Sequence, residues 1–153
     1  MIMEIKWVCK RFDDLSLKEL YEILALRTEV FVVEQNCLFQ EQDGEKDFKS
    51  MHLFGKNTDN QIVAYSRLLP EGLAFHEASI GRVINAPKYR GLGIGRELMK
   101  QSILKLYAYF GYGEIRIGAQ YYLRNFYESF GFEIDGEIYY DDGIEHIEMI
   151  KMA

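Results

Sequence analysis

The sequence predicts a mixed α/β domain whose central sheet is mostly antiparallel, has about seven strands and is flanked by helices. Three observations carry this expectation. Apolar periodicity switches along the chain in the order strand, helix, three strands, helix, strand, helix, two strands. Turn signals at Asp59-Asn60 and Asp142-Gly143 join neighbouring strands as hairpins, which argues for antiparallel pairing with at least one crossover elsewhere. The 153 residues hold only two prolines, Pro70 and Pro87, and no repeat, linker or low-complexity tract, so one domain is expected over residues 1–153.

The first element is an imperfect strand over Ile2 to Val8. Ser16-Leu17-Lys18-Glu19 then forms a capping box, in which the Ser16 hydroxyl and the Glu19 carboxylate each bond the other's backbone amide. The helix it opens carries Leu20, Ile23, Leu24 and Val30 at helical spacing and continues, increasingly apolar, to Glu34-Gln35. Asn36 to Ser50 reads as a polar loop with Glu41, Asp43, Glu45 and Asp47. Strands follow near Met51–Lys56, Gln61–Leu69 and Ala78–Asn85, the last stopped by Pro87. A glycine turn opens a second long helix near Gly93, with an apolar stripe of Ile94, Leu98, Ile103, Leu106, Tyr107 and Phe110, closed by Gly111 and Gly113. Glu114–Ala119 is a short strand, Tyr121–Phe130 a short helix, Phe132–Tyr140 a strand and Glu145–Met152 the returning last strand.

Charge and cysteine content narrow the function. Eighteen Lys+Arg against 24 Asp+Glu give a net charge of −6, the wrong balance for a general nucleic-acid binder. The sign is uneven. From Arg82 to Lys105 there are six basic residues (Arg82, Lys88, Arg90, Arg96, Lys100, Lys105) and one acid, Glu97, so that window is +5 and the remainder −11. A positive island in an acidic chain suggests a small anionic ligand, with a solvated helix face as the plainer reading. Cys9 and Cys37 form no CxxC, and His52, His76 and His146 form no HExxH, so no metal is expected. No apolar run is long enough to span a membrane and the N-terminus lacks a signal-peptide core, so no membrane partner and a cytoplasmic location are expected.

The segment with the most chemistry is Arg90-Gly91-Leu92-Gly93-Ile94-Gly95-Arg96, between a strand and a helix. Unpaired amides at a helix start, aided by the helix dipole, attract anions, and glycines let the backbone approach a phosphate. Rossmann spacing fails, because Arg96 stands where a glycine is needed from Gly91 and Leu98 where one is needed from Gly93. Walker A and kinase patterns are absent too.

The turn resembles the (Gln/Arg)-x-x-Gly-x-(Gly/Ala) signature with which the GNAT acyltransferase superfamily cradles the coenzyme A pyrophosphate. The likeness extends to Gly118-Ala119-Gln120 and to Tyr127, four residues before Gly131-Phe132, which resembles a second family motif. Leu26-Arg27-x-x-Val30-Phe31-Val32-Val33-Glu34-Gln35 and Asp142-Gly143-Ile144-x-His146-Ile147-x-Met149 resemble the small bacterial ElaA-like branch. Two positions depart from the family pattern. Asn85 stands where an aliphatic residue is usual, and Gln120 where asparagine is frequent.

The resemblance implies an acetyl-CoA-dependent N-acetyltransferase, with acetyl-CoA as co-substrate and a primary amine as acceptor. It places Val83, Ile84, Asn85, Arg90, Gly91, Leu92, Gly93, Ile94, Gly95, Arg96, Gln120, Phe126 and Tyr127 around the cofactor. Backbone groups of the strand end at Val83–Asn85 would meet the thioester, and Tyr127 would protonate the leaving thiolate. Packing is the plainer reading of Tyr127, and solvent exposure that of Arg90 and Arg96.

On the acceptor side the candidates are Glu34, Gln35, His52, Arg67 and His146. Glu34-Gln35 either lines a substrate pocket or caps a surface helix. His52 and Arg67 read also as ordinary strand residues. His146 serves as a base, a water relay or a satisfied structural histidine. Glu34 and His146 are the two candidate bases. The acidic stretch from Glu41 to Asp47 suits a cationic acceptor or simply a solvated loop. The acceptor is a small-molecule amine or a protein or peptide amine, and a homodimer is left open. Two rival functions remain: a non-catalytic acyl-CoA-binding or regulatory module, and an acyl-homoserine-lactone-synthase-like acyltransferase.

Overall fold

A computed structural model describes residues 3–153. The chain runs β1 (Lys6–Arg11), α1 (Leu17–Arg27), α2 (Gly44–Lys49), β2 (Met51–Lys56), β3 (Ile62–Leu69), β4 (Ser79–Asn85), α3 (Ile94–Phe110), β5 (Ile115–Gln120), α4 (Arg124–Glu128), β6 (Phe132–Ile134), β7 (Tyr139–Asp141) and β8 (Ile144–Lys151). The mixed α/β architecture is the expected one. It holds eight strands in two antiparallel sheets, ordered β1-β2-β3-β4 and β5-β8-β6 with β7 also on β8.

Local chemistry explains most boundaries. The Ser16 box forms with both bonds, Glu19 N to Ser16 Oγ at 3.0 Å and Ser16 N to Glu19 Oε1 at 2.8 Å. At Thr28 the helix widens into a π-helical stretch, Thr28–Glu34, with Gln35 N bonding Val30 O and Cys37 N bonding Val32 O. This wider turn is a feature that concentrates at functional sites. Asp142 and Gly143, with φ of 50° and 78°, make the two-residue turn between β7 and β8. Gly111, at φ 95°, ends α3.

Three expectations need correction. The loop from Asn36 to Ser50 contains α2, capped by the Asp43 carboxylate on Lys46 N. The single strand expected over Phe132–Tyr140 is β6 and β7, parted at Gly136, whose φ of 144° no ordinary side chain adopts readily. The first strand runs Lys6–Arg11; the expected start at Ile2 lies outside the described residues.

β2 and β3 are buried on both faces. Leu53, Ala64 and Leu68 belong to the core beneath α3, and Ser66 Oγ meets Ser102 Oγ of that helix at 2.8 Å. Phe54 and Tyr65 pack with Ile23, Leu26 and Val30 of the N-terminal helix on the other face. The two sheets touch through one parallel bridge, Ala78 to Ile115, reinforced by Arg116 N donating to Ala78 O at 2.9 Å. Beyond it β4 and β5 share no ladder, so their C-terminal ends at Asn85 and Gln120 diverge. Arg116 clamps the base of this divergence by pairing with Glu77, Asp135 and Glu148.

Candidate active site

The divergence opens a cleft of about 740 Å³. One end lies at the start of α3. Gly91 and Gly93 have φ of 80° and 81°, and a Cβ on either would meet nothing within 4 Å. The left-handed backbone therefore favours glycine at both positions, and the space above them stays open to a ligand. No side chain of the N-cap, Gly93, satisfies the first amides of α3. Asn85 takes one of them: with its amide oriented to satisfy both neighbours, Oδ1 accepts from Gly95 N at 3.0 Å and Nδ2 donates to Ile84 O at 3.3 Å. The polar residue at the aliphatic position thus ties the end of β4 to α3.

Two basic residues of this end are already engaged. Arg90 makes a two-pronged pair with Glu34, both contacts at 2.7 Å. Arg96 lies over the Phe130 ring at 4.8 Å and donates to Ser129 Oγ at 3.2 Å. The Arg90 guanidinium holds the Glu34 carboxyl below the usual carboxylate range, which weakens Glu34 as a base. Leu92 and Ile94 of the glycine turn do not line the cleft with their side chains. Leu92 is exposed, and Ile94 is buried in the core.

In the middle of the cleft the β3–β4 ladder is broken. Tyr65 pairs with Ile84 and Arg67 with Gly81, so Ser66 faces both Arg82 and Val83. This is a β-bulge, and Arg82 sits at φ 51°, a backbone state that costs about 1–3 kcal/mol for a non-glycine residue. Its guanidinium is anchored on the Glu41 side chain and carbonyl and lies over the Phe31 ring. A bulge leaves backbone polar groups off the ladder, here beside cleft-lining Val83 and Ile84.

Tyr127 lines the cleft from α4 and is 7% exposed. Its hydroxyl has no hydrogen-bond partner among the described residues and is not sealed from the cleft. Burial raises its pKa, so the phenol holds its proton. Phe126 packs edge-on against it, at 5.3 Å, and lines the cleft too, as does Gln120.

The acceptor end is assembled from separate segments. His146, opposite Gln120 across β5–β8, presents Nδ1 to the Ile144 carbonyl at 2.8 Å. That contact assigns the proton to Nδ1 and leaves Nε2 as an acceptor. The ring stacks beside Tyr139, whose hydroxyl lies 2.7 Å from where a Cβ on Gly118 would be, so glycine there lets Tyr139 cover the cleft floor. Glu34, Gln35 and Arg67 line the cleft as well.

His52 does not, contrary to expectation. It lies beneath the cleft, where Nδ1 meets the Tyr65 hydroxyl at 2.6 Å and Nε2 the Asp47 carbonyl at 2.8 Å, and burial lowers its pKa. Both nitrogens are used, so the ring serves the fold.

The acidic stretch is also reassigned. Glu41 and Asp47 are buried among guanidiniums rather than offered to a cationic acceptor. Arg27 is 1% exposed and bonds Glu41 side-on (Nε to Oε1 2.8 Å, Nη2 to Oε2 2.9 Å) and Asp47 end-on (Nη1 to Oδ1 2.9 Å, Nη2 to Oδ2 3.1 Å). Arg67 Nη1 reaches the same Asp47 Oδ1 at 2.9 Å. Burial alone would raise the Asp47 pKa, but Arg27 and Arg67 together lower it.

Sequence reasoning missed Phe39, Lys46, Phe75, Tyr139 and Asp141, which line the acceptor end. Only Tyr139 and Asp141 had a signal, their closeness to the Asp142-Gly143 turn. The others lie in loops or on the unexpected short helix.

Comparison with known proteins agrees with this geometry. A family model described as an acetyltransferase (GNAT) domain matches residues 19–153. A UPF0039 protein of Synechocystis is 46% identical over 97% of this chain and 96% of its own length. Protein ElaA of Escherichia coli is 38% identical over 96% of both. The crystal structure of Escherichia coli ElaA superposes with a TM-score of 0.89, covering 97% of this chain and 99% of that one. An acyl-CoA N-acyltransferase from Pseudomonas aeruginosa superposes with a TM-score of 0.90 at 39% identity, covering 97% and 99%. The glycine turn at a helix start, the diverging strand ends and the helical tyrosine beside them thus occur in a chain that belongs to the GNAT acetyltransferase family, alongside ElaA and the UPF0039 proteins.

Proposed function

We propose that this protein is an acetyl-CoA-dependent N-acetyltransferase that moves an acetyl group to a primary amine while both substrates are bound. The observation that carries the reading is one continuous cleft with anion-binding backbone at one end, the Tyr127 hydroxyl midway and the His146 imidazole at the other. A ternary site of this kind needs no acyl-enzyme, since orientation replaces a covalent step. Cys37 fits that view, being buried with its thiol on the Gln35 and Asp142 carbonyls.

The cofactor end suits a pyrophosphate: open space above Gly91 and Gly93, free amides at the start of α3, and Arg90 and Arg96 beside them. Val83, Ile84, Asn85, Gln120 and Phe126 would flank the pantetheine arm. Acetyl-CoA supplies the thioester from which the acetyl group leaves. Backbone groups freed by the bulge at Arg82–Val83 donate to the carbonyl oxygen as charge develops there. His146 Nε2 accepts a proton from the amine. The Tyr127 hydroxyl donates to the departing sulfur, and solvent replaces the proton it gives. One proton leaves the amine and one reaches the thiolate, so the transfer balances.

The test is release of free coenzyme A from acetyl-CoA over a broad amine panel, with acetyl-CoA affinity measured separately by calorimetry. Tyr127→Phe should keep that affinity and slow turnover by ~10²–10⁴-fold. His146→Gln should also keep it and slow turnover at saturating acetyl-CoA. Unchanged turnover would place the base elsewhere. Binding of acetyl-CoA with no turnover of any amine would favour a non-catalytic acyl-CoA module.

A further inference from the structure

The buried cluster beneath the acceptor end pairs Arg27 and Arg67 with Glu41 and Asp47, and the partly exposed Arg82 adds a third cation at its rim. His52 and Tyr65 complete the packing as neutral groups, the first with its pKa lowered and the second with its pKa raised by burial. Arg27 spends its guanidinium on both acids, and Arg82 bonds Glu41.

Arg67 differs from both. It is 4% exposed, and the sole hydrogen bond of its guanidinium among the described residues is Nη1 to Asp47. Its Nε is the one buried side-chain nitrogen or oxygen of the described residues that lacks a partner. Nη2 has no partner there either, but it is not sealed from the cleft as Nε is.

A guanidinium nitrogen that faces a cleft with no acceptor is best satisfied by a carboxylate, through a charge-assisted hydrogen bond. Lys46 lines the same end of the cleft, with its ammonium 3.7 Å from the Asp43 carboxylate. Asp141 and Asp142 also line it, which suits an ammonium carried by the same molecule.

We propose that the acceptor is an amine that also bears a carboxylate, such as an amino acid, and that Nη2 of Arg67, the unpartnered guanidinium nitrogen open to the cleft, docks this carboxylate. The proposal rests on the N-acetyltransferase reading, and it replaces the cationic acceptor that the acidic stretch suggested. Arg67 is here a specificity determinant and takes no part in proton transfer.

The test uses reaction products, so that amine basicity does not differ between probes. N-acetyl derivatives of the common amino acids, each as free acid and as carboxamide, are titrated by calorimetry into the full chain saturated with coenzyme A. At least one free acid should bind roughly ten- to hundredfold more tightly than its carboxamide, the range of a hydrogen bond between charged groups. Arg67→Lys keeps a cation for Asp47 but no longer presents a second nitrogen to the cleft, so the discrimination should fall to a few-fold at most. Wild-type protein that binds no free acid better than its carboxamide would overturn the proposal, whatever the variant does. So would a folded Arg67→Lys protein that keeps the full discrimination. The transferase reading fails separately, by absence of coenzyme A release from any amine.

Discussion

At one end of the cleft, neighbours in sequence from Asn85 to Arg96 do the work with backbone. Their glycines hold a left-handed turn over open space, and the amides of α3 face outward. At the other end, Arg67 comes from β3, His146 from β8, Tyr139 from β7 and Lys46 from α2, and side chains do the work. The difference is also one of support. The glycine turn is held by local hydrogen bonds such as Tyr89 N to Ala86 O and Glu97 N to Gly93 O. The acceptor end stands on a buried lattice in which Arg27 alone ties together residues 14 and 20 positions away. Backbone recognition tolerates change in its surroundings, whereas a buried charge lattice couples binding to folding.

That contrast is open to direct attack, and the largest effect should come from the lattice. Glu41→Ala leaves Arg27 without its side-on partner in a buried site. Breaking a buried pair in this way typically costs about 3–5 kcal/mol, and a melting temperature lower by about 6–20 °C is expected. A drop of only a degree or two would mean that water relieves the cluster and that it does not couple binding to folding.

The same lattice sets a pH signature. Asp47 has a lowered pKa in the folded chain, so its contribution is fully present above the ordinary aspartate value of about 3.9 and is lost as pH falls through the folded value. Melting curves from pH 7 downward should show this loss in wild type and lack it in Asp47→Asn, which starts less stable. Parallel curves would remove Asp47 from the acid response.

The glycine end should respond in binding with little change in stability. Gly93→Asp places a carboxylate at the α3 amides, at a position whose φ of 81° aspartate tolerates better than most residues. Acetyl-CoA affinity should weaken by about ten- to hundredfold, the worth of a charged hydrogen bond, while the melting temperature moves little. Equal affinity in both proteins would dismiss the turn as the pyrophosphate site.

The smallest effect tests the bridge between the two ends. Glu34→Gln frees Arg90 from its exposed pair, which is worth about 0–1 kcal/mol. Acetyl-CoA should then bind up to about fivefold more tightly. A large fall in turnover at saturating cofactor would instead restore Glu34 as the base.

Much of this molecule was legible because it rests on short-range rules. The Ser16 capping box, the Asp142-Gly143 turn, and the glycines before α3 each act within a few residues, and local spacing shows them. Tyr127 was singled out by the family resemblance of the stretch ending at Gly131-Phe132, and the structure sets it in the cleft wall. Tertiary structure alone decided the rest. Asp47 looked like a solvated loop acid until Arg27 and Arg67 closed on it, and His52 looked available until Tyr65 and the Asp47 carbonyl took both its nitrogens. The charge of a residue is written in the sequence, but the partner that neutralises it, or fails to reach it as at Arg67 Nε, depends on which distant segments the fold brings within about 3 Å.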